Sequence, residues 1–514
     1  MPDEDPLATM AAVAPSKIAV VEDERRLTYP EFNALVNRYA NLLVEHGVRA
    51  GTKVVWCGRN STEVVALISA LRKCGAVGVP LNYRLTPEET TYVVENADAA
   101  LVVFDAEQAP QLEAARVRAT GVRAWLAWGS APPDWASSLD ALAGRSPDTE
   151  PVARGADPAA GTSMFYTSGT TGKPKGVVRG EPDPALVLGL VGEIGFEPGD
   201  VYLTTGPLYH SGPMSFMLIV QLMGGTVVVM RDFDPERWLD LVERHRVTTT
   251  FSAPTPIRRV VDLPAETIRR RDLSSLRRVI ANAAPWPFEL KRRYVDLIGD
   301  GSLFEVYGST ELGVDTVLRP EDQMRKPGSC GRAAPGVEIA LFGEDGRPIG
   351  EPHVPGDLYV RGTGTFNAYY KAEGKFQDAS RGEWLTVGDI AYRDEEGFYY
   401  ICDRRTDMII SGGMNIYPAE IEAVLTAHPA VADAAVFGVP SDEWGESVHA
   451  AIVLAPGGAA ADDELRDFCR EHLAAYKTPR GFDRLTEIPR NPSGKTLKRQ
   501  LRAPYWDSRT SNIT

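Results

Sequence analysis

The chain has 514 residues, too many for one ordinary core; at roughly 150 residues per domain it predicts about three structural units. An apolar share of 43% with 24% charged residues is that of a soluble globular protein, and a net charge of −15 without dominant basic clusters argues against a nucleic-acid partner. The five cysteines, Cys57, Cys74, Cys330, Cys402 and Cys469, lie far apart with no CxxC or Cys/His metal spacing, and read as reduced spectator thiols of a cytoplasmic protein.

The N-terminal stretch MPDEDPLATMAAVAP is acidic and proline-broken, unlike a signal peptide. KIAVVED and RLTYPEF read as strands, and EFNALVNRYANLLVEHG as an amphipathic helix ended by glycine. VVWCG reads as a strand, STEVVALISALRKCG as a helix and AVGVPLN as a strand. Ala127–Asp157, polar and rich in Pro and Ala, reads as surface loop. SMFYTS is a β-rich run, and VYLTTG is another strand. The most apolar stretch, PMSFMLIVQLMGGTVVVM (Pro213–Met230), is broken by Gln221 and Gly224-Gly225. It reads as a buried helix and a strand, not as a transmembrane span of about 20 apolar residues; peripheral membrane contact is left open.

DPERWLDLVERHRV is a helix with Asp234 as N-cap and Pro235 in its first turn. TTTFSAP, RRVIANAAP and LFEVYGSTE follow as strands separated by helical segments. This alternation predicts an α/β fold: parallel sheets covered by helices, with ligands beyond the carboxyl ends of the strands. TSGTTG, PLYHSGP, NAAP and YGSTE all fall at such ends. After about Asp403 the helices PAEIEAVLTAH and DDELRDFCREHL alternate with VADAAVFGV and HAAIVLAP, which predicts a small α+β domain. The expected division is an N-terminal domain over residues 1–403, a hinge at 404–407 and a C-terminal domain over 408–514.

The stretch YTSGTTGKPKG (Tyr166–Gly176) has the material of a phosphate cradle. Glycines let backbone N–H groups approach oxygens, hydroxyls add donors, and Lys175 has the reach for a β- or γ-phosphate. It is not a Walker loop: the position five before Gly172 is Thr167, and Pro174 follows Lys173 where that loop requires Ser or Thr.

YTSGTTGKPKG, YGSTE (Tyr307–Glu311), GDLYVRG (Gly356–Gly362), TVGDI (Thr386–Ile390), DRRTDMIISGGMNIYPAEIE (Asp403–Glu422) and NPSGKTLKR (Asn491–Arg499) occur in that order. Together they resemble the adenylate-forming superfamily of acyl- and aryl-CoA synthetases, peptide-synthetase adenylation domains and firefly-type luciferases. The resemblance implies an acid–thiol ligase that uses ATP, Mg²⁺ and CoA and passes through an acyl-adenylate. It places Thr167, Ser168, Gly169, Thr170, Thr171, Gly172 and Lys175 on the β- and γ-phosphates, and Thr310 on the α-phosphate. Tyr307 and Gly308, with Asn282, Ala283 and Ala284, belong to the adenine site; Asp389 and Arg404 belong to the ribose. Glu311 suits Mg²⁺, which takes carboxylate and phosphate oxygens. The resemblance makes Lys495 the candidate catalytic cation between the substrate carboxylate and the α-phosphate.

The resemblance further implies that the small domain is mobile. It rotates after adenylation, withdraws Lys495 and brings Gly412 and Gly413 beside the pantetheine arm of CoA. His210 would line and gate the acid site, with Ser211, Gly212, Met214, Ser215, Asn282, Ala283 and Gly308 as the other pocket candidates. None of these is a cation or an anion, which argues for an apolar acid: fatty, alicyclic such as a steroid side chain, or aryl. PLYHSGP looks like actinobacterial fatty-acid and steroid-acid ligases. The alternatives are an adenylation enzyme that loads a carrier protein, a non-catalytic nucleotide binder and a luciferase-like oxygenase; a homodimer is left open. Two positions depart from the pattern. Thr406 stands where the hinge usually has Asp or Lys, and NAAP stands where Gly-Gly-Ala-Pro is usual.

Overall fold

The structure, a computed structural model, describes residues 5–152, 162–167, 174–180, 183–284, 286–362, 368–372, 379–404, 407–411, 414–441, 443–490 and 495–506. The large domain is built on two sheets. In the first, Leu303–Ser309, Arg278–Ala281, Thr249–Ser252, Val201–Leu203, Thr226–Val229 and Ile18–Glu22 lie side by side and parallel, with antiparallel strands at both edges. In the second, Ser163–Thr167, Val77–Leu81, Lys53–Cys57, Leu101–Asp105 and Ala124–Trp128 are parallel neighbours, and Lys175–Arg179 runs antiparallel beside the first of them. Val77–Leu81 and Leu101–Asp105 are buried at every position, as strands covered on both faces must be.

Helices Tyr29–Glu45, Thr62–Lys73 and Ser211–Leu222 lie between the sheets. Phe32, Leu67 and Met217 share one core with Val54 of the second sheet and Val227 of the first. Trp238, Ile257 and Leu290 cover the outer face of the first sheet, and Val93 and Leu112 that of the second. The parallel sheets covered by helices follow the sequence expectation.

Two local readings are corrected. RLTYPEF is a strand only over Arg25–Thr28, and a helix begins at Tyr29. The Thr28 hydroxyl accepts from the Glu31 N–H while the Glu31 carboxylate accepts from the Thr28 N–H at 2.8 Å, and Pro30 lacks the N–H that a strand would need. The stretch Ala127–Asp157 is not all loop. Ser137–Ser138 adds an edge strand, and Ser138 caps the helix Leu139–Ala143, whose Leu139 and Ala143 are buried.

A smaller antiparallel sheet of Glu338–Phe342, Gly356–Arg361, Asp389–Arg393 and Tyr399–Arg404 precedes the small C-terminal domain. There Ile421, Leu425, Val436, Ile452 and Leu465 form a separate core between helices Pro418–Ala427 and Asp462–His472 and the paired strands Val431–Ser441 and Gly445–Leu454. The buried Asp403 carboxylate accepts from the Ala419 N–H at 3.1 Å and lies 3.6 Å from Lys498 Nζ, which ties the last strand of the large domain to the small one. Among the described residues no helix is long and apolar enough to cross a membrane.

Candidate active site

Four strand ends of the large domain and Lys495 of the small domain face a cleft of about 3140 Å³, several times the volume of a single small-molecule site. Thr167 ends Ser163–Thr167, and its Oγ1 lies 3.4 Å from Glu311 Oε1. Lys175, opposite Thr167 in the register, begins the returning strand, with its Nζ 5.3 Å from the Tyr369 ring. Ser168, Gly169, Thr170, Thr171 and Gly172, the rest of the expected phosphate loop, lie outside the described residues.

The YGSTE stretch closes strand Leu303–Ser309 and turns into the antiparallel strand Gly313–Leu318. Gly308 is required by closeness: a Cβ there would sit 1.9 Å from the Gly313 carbonyl oxygen. Thr310 Oγ1 meets Ser211 Oγ at 3.1 Å, and Glu311 Oε1 accepts from the Tyr369 hydroxyl at 3.3 Å. One half-satisfied carboxylate fits Mg²⁺, which is held by one or two carboxylates and completes its shell with phosphate oxygens and water. Among the described residues no group of three or more His, Cys, Asp and Glu forms a metal cage of its own.

Asp389 and Arg404 are opposite one another in a strand pair, with Arg404 Nε 3.3 Å from Asp389 Oδ1. Asp389 Oδ2 accepts from the Tyr307 hydroxyl at 2.5 Å, and burial holds that phenol well above its ordinary range. Lys495 enters the same cleft from the small domain. Burial, and then the Arg404 charge, push its ammonium down to about 8, against the pull of Asp389, Asp407 and Glu311.

His210 is the N-cap residue of helix Ser211–Leu222, with its ring 4.4 Å from that of Tyr209. Burial pushes its imidazole down to about 4, so it is neutral at pH 7; its Nε2 is buried without a hydrogen-bond partner among the described residues. Ser211, Gly212, Met214 and Ser215 follow in the first turns of that helix and line the cleft. A Cβ on Gly212 would fall 2.7 Å from the Phe251 ring. Asn282 Nδ2 donates to the Val306 carbonyl at 2.5 Å, and its Oδ1 accepts from the Ala283 N–H. Ala283 has φ 72°, a left-handed conformation that suits the glycine usual at this place and costs an alanine about 1 kcal/mol. Ala284 also lines the cleft. Gly412 and Gly413 lie outside the described residues; the flanking strands Ile409–Ser411 and Met414–Ile416 pair with Ser411 opposite Met414. Thr406 is outside them as well.

Three residues were not anticipated. Tyr369 stands between Lys175 and Glu311. Arg179 lines the cleft on the same strand as Lys175, and the alternation Lys175-Val177-Arg179 was a readable signal for it. Asp315 carried no signal. It is fully buried in strand Gly313–Leu318, and neither carboxylate oxygen has a hydrogen-bond partner among the described residues. Burial, then the nearby Asp389, hold its pKa well above the carboxylate range. A carboxyl raised in this way contributes its full stability below its unfolded pKa and loses it as pH rises towards the folded value. Asp315→Asn is therefore expected to raise the thermal midpoint at pH 7 by about a few degrees, with the gain vanishing near pH 4. Melting curves of both proteins at the two pH values check this, and an equal gain at both would refute it.

A layered parallel-sheet domain whose strand ends face a lysine of a small C-terminal domain defines an adenylate-forming enzyme. The AMP-binding enzyme family profile matches residues 7–370, and the AMP-binding enzyme C-terminal domain profile matches residues 420–495. The chain belongs to this family, the adenylate-forming acyl-CoA ligases that its motif order resembles. It is 33% identical over 503 residues to the long-chain-fatty-acid–CoA ligase FadD13 of Mycobacterium tuberculosis, covering 97% of each chain. It is 35% identical over 500 residues to a feruloyl-CoA synthase of an Amycolatopsis species, covering 96% of this chain and 97% of the relative. The o-succinylbenzoate–CoA synthetase of Bacillus subtilis, solved with its acyl-adenylate intermediate, superposes with a TM-score of 0.83 at 30% identity over 99% of both chains.

Proposed function

We propose that this enzyme activates an apolar carboxylic acid with ATP, releases pyrophosphate, and transfers the acyl group from the acyl-adenylate to CoA with release of AMP. The observation that carries this reading is the convergence of Thr167, Lys175, Thr310, Glu311, Asp389 and Lys495 on one cleft from separate parts of the chain.

A carboxylate is a poor electrophile because its oxygen is a bad leaving group; joined to AMP, it leaves easily. Two anions must first meet, and cations in a partly dry site offset their repulsion far better than in water. Lys495 bridges the acid's carboxylate and the α-phosphate. Thr310 bonds the α-phosphate, Lys175 and the loop from Thr167 hold the β- and γ-phosphates, and Glu311 would hold Mg²⁺, whose charge would offset that of the phosphates. Asp389 and Arg404 take the ribose. The Tyr307 ring and the backbone at Asn282, Ala283, Ala284 and Gly308 receive the adenine. His210, neutral, lines the entrance to the acid site with Ser211, Gly212, Met214 and Ser215.

The apolar walls of the cleft, Leu186 and Leu190 on helix Pro184–Ile194 and Leu218 and Ile219 on helix Ser211–Leu222, support an acid with an apolar frame. We place the domain boundary at residues 404–407. Rotation there would withdraw Lys495 and bring Gly412 and Gly413 to the thiol-transfer position.

Pyrophosphate release over a panel of fatty, steroid side-chain, aryl and amino acids, with and without CoA, tests the reading. Multiple turnovers that require CoA, with an apolar acid best, are the expected result. A single slow turnover unaffected by CoA would replace CoA with a carrier-protein thiol as the acceptor.

A further inference from the structure

The cleft contains a cation that the ligase chemistry above does not use. Arg179 is the last residue of strand Lys175–Arg179 and is half-buried. Period-two alternation puts its side chain on the same face as Lys175 and opposite to Val178. Val178 packs on the outer core of the second sheet, with Met164. Phe165, opposite Val177 in the neighbouring strand, packs on the inner core with Met214, Phe216 and the partly buried Leu190 and Leu218. Arg179 therefore faces the side that carries the apolar wall of the acid site. Its backbone lies about 13 Å along the strand from that of Lys175, away from the phosphate end.

The other half-buried arginines of the cleft each meet an oxygen. Arg72 pairs with Asp5 at 2.6 Å, Arg231 with Asp105 at 3.0 Å, Arg404 with Asp389 at 3.3 Å and Arg490 with Asp433 at 2.8 Å, and Arg258 donates to the Ala432 carbonyl at 3.1 Å. Among the described residues no oxygen lies within hydrogen-bond distance of the Arg179 guanidinium; Glu311 acts on it only as a more distant charge. Partial burial lowers its pKa, against the weaker opposite pull of Glu311. A guanidinium so placed is costly to the protein alone and is relieved by a planar oxyanion that accepts two parallel hydrogen bonds.

Resting on the ligase reading, we infer that the acid carries a second carboxylate on its apolar frame and that Arg179 pairs with it. The activated carboxylate lies toward Thr310 and Lys495, and the second one lies deeper, at the end of the strand. Arg179 is thus a specificity residue and touches no reacting atom.

The test compares matched pairs: dodecanoate with dodecanedioate, and benzenepropanoate with its para-carboxy derivative. Pyrophosphate release with CoA is measured for the wild type, Arg179→Met and Arg179→Lys. The wild type is expected to favour the diacid in at least one pair by about tenfold or more in kcat/KM, the range of a charge-assisted hydrogen bond. That ratio should fall at least about tenfold in Arg179→Met and be partly kept in Arg179→Lys. Wild-type preference for the monoacid in both pairs overturns the inference and leaves the ligase reading standing, and it does so even if the Met variant fails to fold. A raised KM for ATP in Arg179→Met with an unchanged acid ratio also overturns it and moves Arg179 to the phosphates. Turnover of none of the four acids, with apolar monoacids of the wider panel also inert, removes the ligase reading and this inference with it.

Discussion

Lys495→Ala is expected to slow acyl-adenylate formation by about 10²–10³-fold, the loss typical of removing one preorganised donor from a developing charge. Transfer to CoA from a supplied acyl-adenylate should survive, because Lys495 is assigned to the first half-reaction only. Measuring the two half-reactions separately checks both statements. Pyrophosphate release at the wild-type rate would end the assignment.

The same residue sets a pH dependence. Its role needs the ammonium, which is charged below its pKa. Burial and the Arg404 charge lower that pKa to about 8 in the unliganded protein. Since kcat/KM reports the free enzyme, kcat/KM for ATP should fall about tenfold per pH unit above pH 8. The phosphates of bound ATP favour the charged form, so the corresponding limb in kcat should lie at higher pH. Lys495→Arg keeps its charge throughout and should lose the limb in whatever activity remains. A flat wild-type profile from pH 7 to 10 would contradict the assignment.

Asp389→Ala is expected to raise KM for ATP by about 10²-fold. A carboxylate offers about four acceptor positions. Tyr307 and Arg404 occupy two of them, which leaves two for the ribose hydroxyls. Removing the carboxylate loses both ribose bonds, each worth about 1.5–3 kcal/mol when the acceptor is charged, and leaves the Tyr307 hydroxyl and Arg404 without their partner. Comparing ATP with 2′-deoxy-ATP separates recognition from general damage. The wild type should discriminate between them and the variant should not. Equal discrimination by both proteins would move the ribose contact elsewhere.

Both predictions join residues remote in sequence, and this is where legibility changed. The strand ends that carry TSGTTG, PLYHSGP, NAAP and YGSTE were readable because strand–helix alternation is a local pattern and the loops break its composition. RLTYPEF was misread because β-propensity in Arg25–Thr28 says nothing of the capping box that Thr28 forms with Glu31. The helix Leu139–Ala143 was hidden in a polar stretch because its two buried residues gain their value from packing, not from local pattern. Tyr307 was read as an adenine platform from its place in YGSTE. That its hydroxyl is held by Asp389, 82 residues away, follows from the meeting of two sheets.

By itself the sequence determined the α/β class, the small C-terminal domain and the chemistry of adenylation, through short motifs and their order. The fold class and the small domain rest on residues close in the chain, where periodicity and residue type are enough; the chemistry rests on the resemblance of the motif order to the adenylate-forming superfamily. The tertiary structure alone decided the setting of each charge: Lys495 beside Arg404 and Asp389 in one cleft, Arg179 in the same cleft without a close counter-ion among the described residues, and Asp315 buried in its strand without a hydrogen-bond partner among them. The reason is electrostatic. A charge's cost and its use depend on burial and on neighbours within a few ångströms, and in this chain those neighbours come from strands and loops far apart in sequence.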